Sequence, residues 1–456
     1  MALRLPSFSI ILAALLIRLA SEAVLAQEPA EEVPPAVDRS RLLYIEAPIA
    51  IQSELDPILL EVLVKPASED DPDYISRAES ISQYDSLVAD IESVGGAWDR
   101  SLSEELAALG ALQQQQGNHE QAVETLDRAI HINRINSGLH TLEQIPAIEQ
   151  LIQSHLVMGN WEQADVYNNY LFYVQQKAFG RNDPRLIPVL DKLATWNIQA
   201  FNIGYGEMLG MRLREAQILF VAAARMVGVH FGKNDERFVS YLRNIANSSY
   251  LLSRNQDLLL ETERPEYRSS QAMLMDKLNE HRPVLPPGYQ TGERALQDIV
   301  EYYREKGDAP YEFAEAVTNL ADWYLMFGRR SQANDYYQAA WQVLLLQENS
   351  EELLQRLFGE VVPLPTFAES ISNPAADYQA DSQSDAINYD FADVMFDVTE
   401  NGLVRNAKIV SEQTEENSSH HNSLRTNVRN SFFRPLIVDG EPQRSNGAYF
   451  RYRYWY

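Results

Sequence analysis

The strongest constraint on the fold is a pattern of large and small residues on either side of one glycine. In LAALGALQQQQGNHEQAVETLDRAIHI, Leu106 and Leu109 form an apolar face before Gly117, and the small residues Ala122 and Ala129 follow it. Residues three and four apart share one face of a helix, and small side chains let two helix backbones approach closely. Glycine adopts the positive φ of a tight turn without strain. The segment therefore predicts two antiparallel helices joined at Gly117.

The same pattern returns twice later in the chain. Gly159 and Ala164 repeat the glycine and alanine positions 42 residues further on, and Gly328 and Ala333 repeat them in VTNLADWYLMFGRRSQANDYYQAAWQVL. REAQILFVAAA, at 214–224, predicts the second helix of another copy. The spacing resembles the tetratricopeptide repeat (TPR). Since the offsets exceed the usual period of about 34 residues, it is most similar to the longer variants, such as those of kinesin light chains.

This resemblance covers residues 76–357 and implies a mainly α fold, a solenoid of stacked helical hairpins. The groove of such a solenoid binds peptides or partner helices. In the matched segments, the first helices are expected to turn six polar residues towards the groove: Gln114, Gln115, Glu149, Gln153, Thr318 and Asp322. The alternative for each residue is that it is an ordinary solvated helix position.

An internal repeat supports the array. FGRNDPRLIPVLDKLA (179–194) aligns with FGKNDERFVSYLRNIA (231–246) at an offset of 52 residues. Both predict a helix that begins after Asn-Asp, because a carboxylate or amide oxygen caps the first backbone amides. GYGEMLG (204–210) is interpreted as a turn of the array, and HRPVLPPGYQTG (281–292) as a loop that interrupts it.

A change from helical to alternating pattern marks the last part of the chain. Val394, Phe396 and Val398 alternate with polar or flexible residues, which predicts a strand with one apolar face. Asn401-Gly402 favours a hairpin turn, and LVRNAKIV returns as the second strand. The next segment places Leu424 and Val428 on one helical stripe, and AYFRYRYWY alternates as a third strand.

The order strand, strand, helix, strand over residues 389–456 is a small α+β unit that resembles the C-terminal domain of TonB. The positions that carry the resemblance, in FDVTENG, LVRNAKIV, FRP and DGEP, are Phe396, Gly402, Val404, Phe433, Pro435, Gly440 and Pro442. The resemblance implies that the last strand lies at the edge of a sheet and pairs with an extended partner segment. Tyr452 and Tyr454 are then candidates for partner binding. The alternative is that this strand only completes the sheet, with Arg451 and Arg453 protecting its edge from aggregation.

The N-terminus has the pattern of a secretory signal peptide. A basic residue, Arg4, precedes the apolar run at 8–17, and small residues end the segment at Ala26. We expect cleavage after Ala26, a mature protein that starts at Gln27, and a periplasmic location. The alternative is an uncleaved N-terminus that anchors the chain to the inner membrane.

The local composition of the chain indicates the remaining boundaries between its predicted regions. The segment after the array is rich in Pro, Ser, Asp and Ala, which is typical of a linker. The predicted regions are a signal peptide (1–26), a tether and a segment of undetermined structure (27–75), the TPR-like solenoid (76–357), the linker (358–388) and the TonB-like domain (389–456).

Charge and residue types argue against several functions. The chain has 38 Lys and Arg against 65 Asp and Glu, a formal net charge of -27, which disfavours nucleic acid as a partner because phosphates are bound by clustered cations. It contains no cysteine, so thiol catalysis and zinc-thiolate sites are excluded. The histidines are scattered, and no metal-binding helix motif, nucleophile elbow or phosphate loop occurs. His420 and His421 are interpreted as part of an exposed segment at a helix start.

We therefore predict a protein that is not an enzyme, with no catalytic residues, no cofactor and no metal site. The predicted function is a periplasmic scaffold that binds protein or peptide partners in the cell envelope through the TPR groove and the TonB-like domain. The alternative is a TonB-type energy transducer or an accessory for outer-membrane transport. After signal cleavage no segment is expected to span a membrane, and the sequence leaves the oligomeric state open.

Overall fold

The computed structural model describes most of the chain from Leu42 onwards. Residues Arg39–Tyr456 pack into one compact unit. The predicted signal peptide and the tether at 27–38 lie outside the described residues. The described ranges are 42, 44–51, 72–206, 208–278, 288–367, 389–411 and 418–456.

Helices make up the first and larger part of the described chain. In chain order they are α1 (Pro72–Gly95), α2 (Leu102–Gln115), α3 (His119–Ser137), α4 (Ile145–Val157), α5 (Trp161–Phe179), α6 (Ile187–Asn202), α7 (Leu209–His230), α8 (Glu236–Arg254), α9 (Gln256–Glu261), α10 (Pro265–Lys277), α11 (Tyr289–Lys306), α12 (Pro310–Met326), α13 (Arg330–Leu345), α14 (Ser350–Phe358) and α15 (Ser418–Asn430). None of the helices in the described ranges is long and apolar enough to cross a membrane.

Within the described ranges, the helices form five successive hairpins. The pairs are α2 with α3, α4 with α5, α6 with α7, α8 with α11, and α12 with α13. The fourth pair is interrupted because α9, α10 and residues 279–287 are inserted between its two helices. A TPR-like helical repeat region is therefore present, and it includes a hairpin that the sequence pattern did not reveal.

The pattern around Gly117 forms the hairpin that it predicts. Leu106 and Ala122 are buried in the core, and Gly110 lies so close to α3 that a Cβ there would be 2.7 Å from Leu126 Cδ2. Gly117 has a φ of 87°, a conformation that glycine adopts without a steric cost.

The turns of four hairpins are closed in the same way. The amide of Asn118 donates to the carbonyl oxygen of Gln113 at 2.9 Å, five residues back, which is the long hydrogen bond of a Schellman motif. The equivalent bonds join Asn160 N to His155 O, Tyr205 N to Ala200 O, and Arg329 N to Tyr324 O, each at 2.8 Å. This geometry confirms that GYGEMLG begins as a turn of the array.

The helix starts predicted after Asn-Asp are also confirmed, the first as a short 3-10 helix (Pro184–Leu186) that leads into α6 and the second as the start of α8. The Asp183 carboxylate accepts a hydrogen bond from Arg185 N at 2.9 Å, and Asp235 accepts one from Arg237 N at 3.0 Å. Of the segment predicted as a loop, 281–292, residues 281–287 lie outside the described residues, and α11 already begins at Tyr289. Gly292 lies directly beneath the Trp323 ring, so this end of the segment is helical and buried.

The last part of the chain, together with residues 44–50, forms a mixed β/α region built on an antiparallel sheet. The strands are β1 (Tyr44–Ile45), β2 (Ile49–Ala50), β3 (Val362–Pro363), β4 (Tyr389–Val398), β5 (Val404–Ile409), β6 (Phe433–Arg434), β7 (Leu436–Val438), β8 (Glu441–Gln443) and β9 (Ser445–Trp455). The main sheet has the order β1-β9-β4-β5, and β2 also pairs with β9. β3 pairs with β6, and β7 with β8.

The predicted alternation forms the core of this region. Val394, Phe396 and Val398 are buried on one face of β4. Leu424 and Val428 of α15 pack against this face in the same cluster. The one-sided apolar patterns of the strand and the helix therefore meet, as the sequence indicates.

The segment predicted as a linker, 358–388, is structured at its beginning. β3 pairs with β6, and Phe367 is buried with its ring centroid 5.9 Å from that of Trp323. The remaining residues, 368–388, lie outside the described residues. Composition averaged over the whole segment conceals the few apolar side chains that anchor its start to the helical array.

Candidate functional site

The eight candidate residues differ sharply in exposure. Gln115 and Gln153 are exposed, and Gln114 and Glu149 are half-buried. The remaining four, Thr318, Asp322, Tyr452 and Tyr454, are buried. The structure therefore separates candidates that can meet a partner from candidates that face their own chain.

The four candidates that are exposed or half-buried lie on the first helices of the first two hairpins. Gln114 Nε2 donates to Gln150 O at 2.5 Å and to Ser154 Oγ at 2.7 Å, which links α2 to α4. Glu149 forms an ion pair with Lys192, which links α4 to α6. We call the surface formed by α2, α4, α6, α8 and α12 the first-helix face. At α2 and α4, its exposed amides are those of Gln115 and Gln153.

Further along the first-helix face, the chain's own β/α region covers α12. Asp322 is fully buried and accepts two hydrogen bonds from Arg434 of β6, from Nε to Oδ1 at 3.0 Å and from Nη2 to Oδ2 at 2.5 Å. Tyr337 Oη donates to Asp322 Oδ1 at 2.7 Å, and Thr366 Oγ1 lies 3.2 Å from Oδ2. Arg434 also donates to Leu357 O at 3.2 Å. Asp322 is therefore the centre of a buried polar network and not an exposed contact.

The electrostatics of this network are those of a desolvated ion pair. Burial raises the pKa of Tyr337 well above its ordinary value, and the Asp322 charge adds to that effect. Burial alone lowers the pKa of Arg434, but the nearby Asp322 carboxylate outweighs it, so that the pKa is raised. Tyr337 thus stays a neutral donor and Arg434 stays charged.

Two further contacts attach the β/α region to the array. A Cβ on Gly402, in the turn between β4 and β5, would lie 2.9 Å from Leu325 Cδ2 of α12. The guanidinium carbon of Arg254, at the end of α8, lies 5.0 Å from the ring centroid of Phe432. The Asn-Gly turn that the sequence indicates therefore also docks this region onto α12.

Thr318 is the second buried candidate of α12. Its hydroxyl donates to Ala314 O at 2.8 Å within the same helix, and the residue has no exposed surface. Its side chain is therefore not accessible to a partner.

The last strand is not an edge strand in this structure. β1 and β2 pair with its outer side in antiparallel register, with Tyr44 opposite Trp455 and Ile49 opposite Arg451. Glu46 Oε1 accepts a hydrogen bond from Trp455 Nε1 at 2.8 Å. The chain's own residues 44–50 therefore take the place predicted for a partner segment.

The buried tyrosines of this strand point into the interior of the β/α region. Tyr454 Oη lies 3.3 Å from Asp390 Oδ2, and the Tyr452 hydroxyl has no hydrogen-bond partner among the described residues. Arg451 forms a buried pair with Asp393 at 2.7 Å, and Arg453 lies over the Tyr389 ring, 4.5 Å from its centroid. Because β1 and β2 cover the edge of the last strand, the two arginines are not needed to protect it. They contact residues on the faces of the sheet instead.

Two histidines lie elsewhere than expected. His420 and His421, predicted in an exposed segment, are buried against the last strand, with the His420 ring centroid 4.3 Å from that of Tyr456. The described residues contain no group of three or more His, Asp or Glu side chains that could hold a metal ion.

Comparisons with known proteins identify no family. No family model and no curated protein matches the chain. Among solved structures, the chain is similar to the nearly identical TPR-like repeats of a Podosopora anserina protein assigned as a kinesin light chain, with 15% identity, a TM-score of 0.33, and coverage of 44% of this chain and 90% of that one. A single-substitution form of the same protein matches with 14% identity, a TM-score of 0.32, and coverage of 45% and 91%.

Proposed function

We propose that this chain is a non-enzymatic scaffold that is exported to the periplasm and binds protein partners in the cell envelope. The observation that carries the proposal is that one surface, the first-helix face, already packs against polypeptide. Its α12 part is covered by the chain's own β/α region, whereas its α2 and α4 part presents Gln115 and Gln153 to solvent.

An extended or helical peptide suits the exposed part of this face. Amide side chains donate and accept hydrogen bonds, so Gln115 and Gln153 can pair with both groups of a peptide backbone. Gln114 and Glu149 are already bonded to the neighbouring first helices, which fixes the spacing of the surface in advance. Such preorganisation reduces the entropy lost on binding.

The TonB-like identity of the last region is part of the proposal. Its support is the order β9-β4-β5, in which the last strand pairs with the first strand of the region, together with α15 on one face. Because residues 44–50 occupy the outer side of β9, an envelope partner would pair with that strand only after they had left it.

The test uses matched glutamine substitutions in the full chain, expressed in its native cells. Gln115→Arg with Gln153→Arg places two long cations on the first-helix face. Gln121→Arg with Gln163→Arg adds the same charges at exposed positions of the second helices α3 and α5. After crosslinking and identification by mass spectrometry, we expect the first pair to lose partners that the second pair retains. The same partners with both pairs would refute the assignment of this face.

The location has its own test, which also separates the two candidate roles. Mass measurement of the mature protein should show a start at Gln27. An intact N-terminus at Met1 or Ala2 would contradict export with cleavage and favour the anchored transducer.

A further inference from the structure

A cavity lies where three parts of the fold meet. It has a volume of about 410 Å³ and is bounded by the segment 44–48, by α6 and α8 of the array, and by α15 with the chain around Leu364. Apolar side chains form much of its wall, among them Ile45, Ile198, Leu251, Leu424 and Val428. Binding sites for small molecules have volumes of about 300–1,000 Å³ and often lie between structural units.

One residue of the wall, Tyr452, has a buried hydroxyl without a partner among the described residues. Tyr452 lines the cavity and is 3% exposed, and its buried hydroxyl makes no hydrogen bond to any described residue. A buried hydroxyl without a hydrogen-bond partner destabilises the folded protein. Burial raises the pKa of Tyr452 well above its ordinary value, so the hydroxyl remains a donor.

The described wall offers no free counter-charge to a charged ligand. Glu46 is the one residue with a formal charge among the described residues that line the cavity. Its carboxylate already accepts a hydrogen bond from Trp455 Nε1 at 2.8 Å and lies 3.6 Å from Arg453 Nε. A charged molecule would lose its hydration here without gaining a counter-ion, which is strongly unfavourable.

We propose that this cavity binds an uncharged, mainly apolar small molecule whose hydrogen-bond acceptor pairs with the Tyr452 hydroxyl. Such a ligand touches the N-terminal segment, the helical array and the β/α region together. It therefore stabilises their association, since a ligand that binds only the folded state shifts the unfolding equilibrium. This inference is independent of the partner surface at α2 and α4.

The test measures binding of prodan, an uncharged naphthalene ketone whose emission shifts to longer wavelength when its carbonyl accepts a hydrogen bond. Titration of the full chain should show one saturable site. Tyr452→Phe should weaken binding about three- to tenfold, the equivalent of one hydrogen bond, and shift the emission of the bound dye to shorter wavelength. The anionic dye anilinonaphthalene sulfonate should not compete.

A pair of tryptophan substitutions locates the site. Leu251→Trp fills the cavity and should abolish prodan binding, whereas Leu260→Trp, at a position that is 52% exposed on α9, should leave it unchanged. If Leu251→Trp fails to fold, the emission shift of Tyr452→Phe remains a test, because that change removes only a hydroxyl that makes no hydrogen bond to any described residue. Absence of saturable binding, or equal binding and emission in Tyr452→Phe and the unchanged chain, would overturn the proposal.

Discussion

Asp322 and Arg434 join the helical array to the β/α region through a fully buried ion pair. Removing both charges from water is costly, and their attraction compensates only when the remaining hydrogen-bonding groups are also satisfied. Thr366, Tyr337 and the Leu357 carbonyl supply those additional bonds. The pair therefore specifies how the two regions fit together more than it adds stability.

This arrangement predicts an asymmetry between single and double substitutions. Asp322→Leu should lower the free energy of unfolding by about 3–5 kcal/mol, because it leaves the Arg434 guanidinium buried without a counter-charge. Asp322→Leu combined with Arg434→Met should recover a large part of that loss. Urea denaturation of the two single variants and the double variant measures the coupling. Strictly additive effects would contradict the proposed role of the pair.

The burial of His155 predicts that the stability of the fold depends on pH. Burial lowers its pKa below 6.5, although the Asp127 charge acts in the opposite direction, and its ring stacks on Tyr167. Since the folded chain takes up this proton less readily than the unfolded chain, stability is complete above pH 6.5 and falls as the pH drops below it. His155→Phe should reduce the fall in thermal midpoint between neutral and acidic pH. A smaller slope should persist, because burial also lowers the pKa values of His119 and His421.

At the scale of elements, three glycines lie in different surroundings, so substitution by alanine should change the free energy of unfolding differently at each. Gly117→Ala should cost about 1–2 kcal/mol, because its φ of 87° disfavours a side chain although the space around it is open. Gly110→Ala should cost about 1–3 kcal/mol through the close contact with Leu126.

Gly228→Ala in α7 is the matched control. A Cβ there would meet Lys233 and Phe238 at 3.8 Å, which is ordinary contact distance, so alanine should stabilise the helix by about 0.5–1 kcal/mol. Thermal or urea unfolding of the three variants measures these effects. Equal changes in all three would contradict this account of the hairpins.

The hairpins could be predicted from the sequence because their signals are local. The period of the apolar residues and the small residues near Gly117, Gly159 and Gly328 lie within one pair of helices. The fourth hairpin could not, since α9 and α10 separate its two helices along the chain. The position of Asp322 in the repeat pattern marked it as a candidate for partner binding. Its side chain instead bonds to Arg434, which is 112 residues away, and nothing in the sequence near either residue indicates that contact.

At the scale of the whole molecule, the β/α region acts as a cover for the end of the array. A truncated chain that ends at Phe367 should remain helical by circular dichroism, because each hairpin packs mainly on its neighbours. It should unfold at a lower temperature and bind more of an apolar dye, since Leu325 and the Asp322 network lose their cover.

The truncated chain also offers an internal control. Asp322→Leu destabilises the full chain by leaving Arg434 unpaired, but Arg434 is absent from the truncated chain. There the same substitution should be close to neutral. Equal destabilisation in both chains would show that Asp322 acts within the array and not across to the β/α region.

The pairing of β1 and β2 with β9 sets a delay in the formation of the main sheet. Trp455 and Glu46, which share a hydrogen bond, are 409 residues apart. Ribosomes add about 5–20 residues per second, so about 20–80 s separate the synthesis of the two strands. During that time residues 44–50 have no strand to pair with, whereas each helical hairpin needs only residues that are near in the chain. The main sheet is therefore among the last parts of the molecule to be completed.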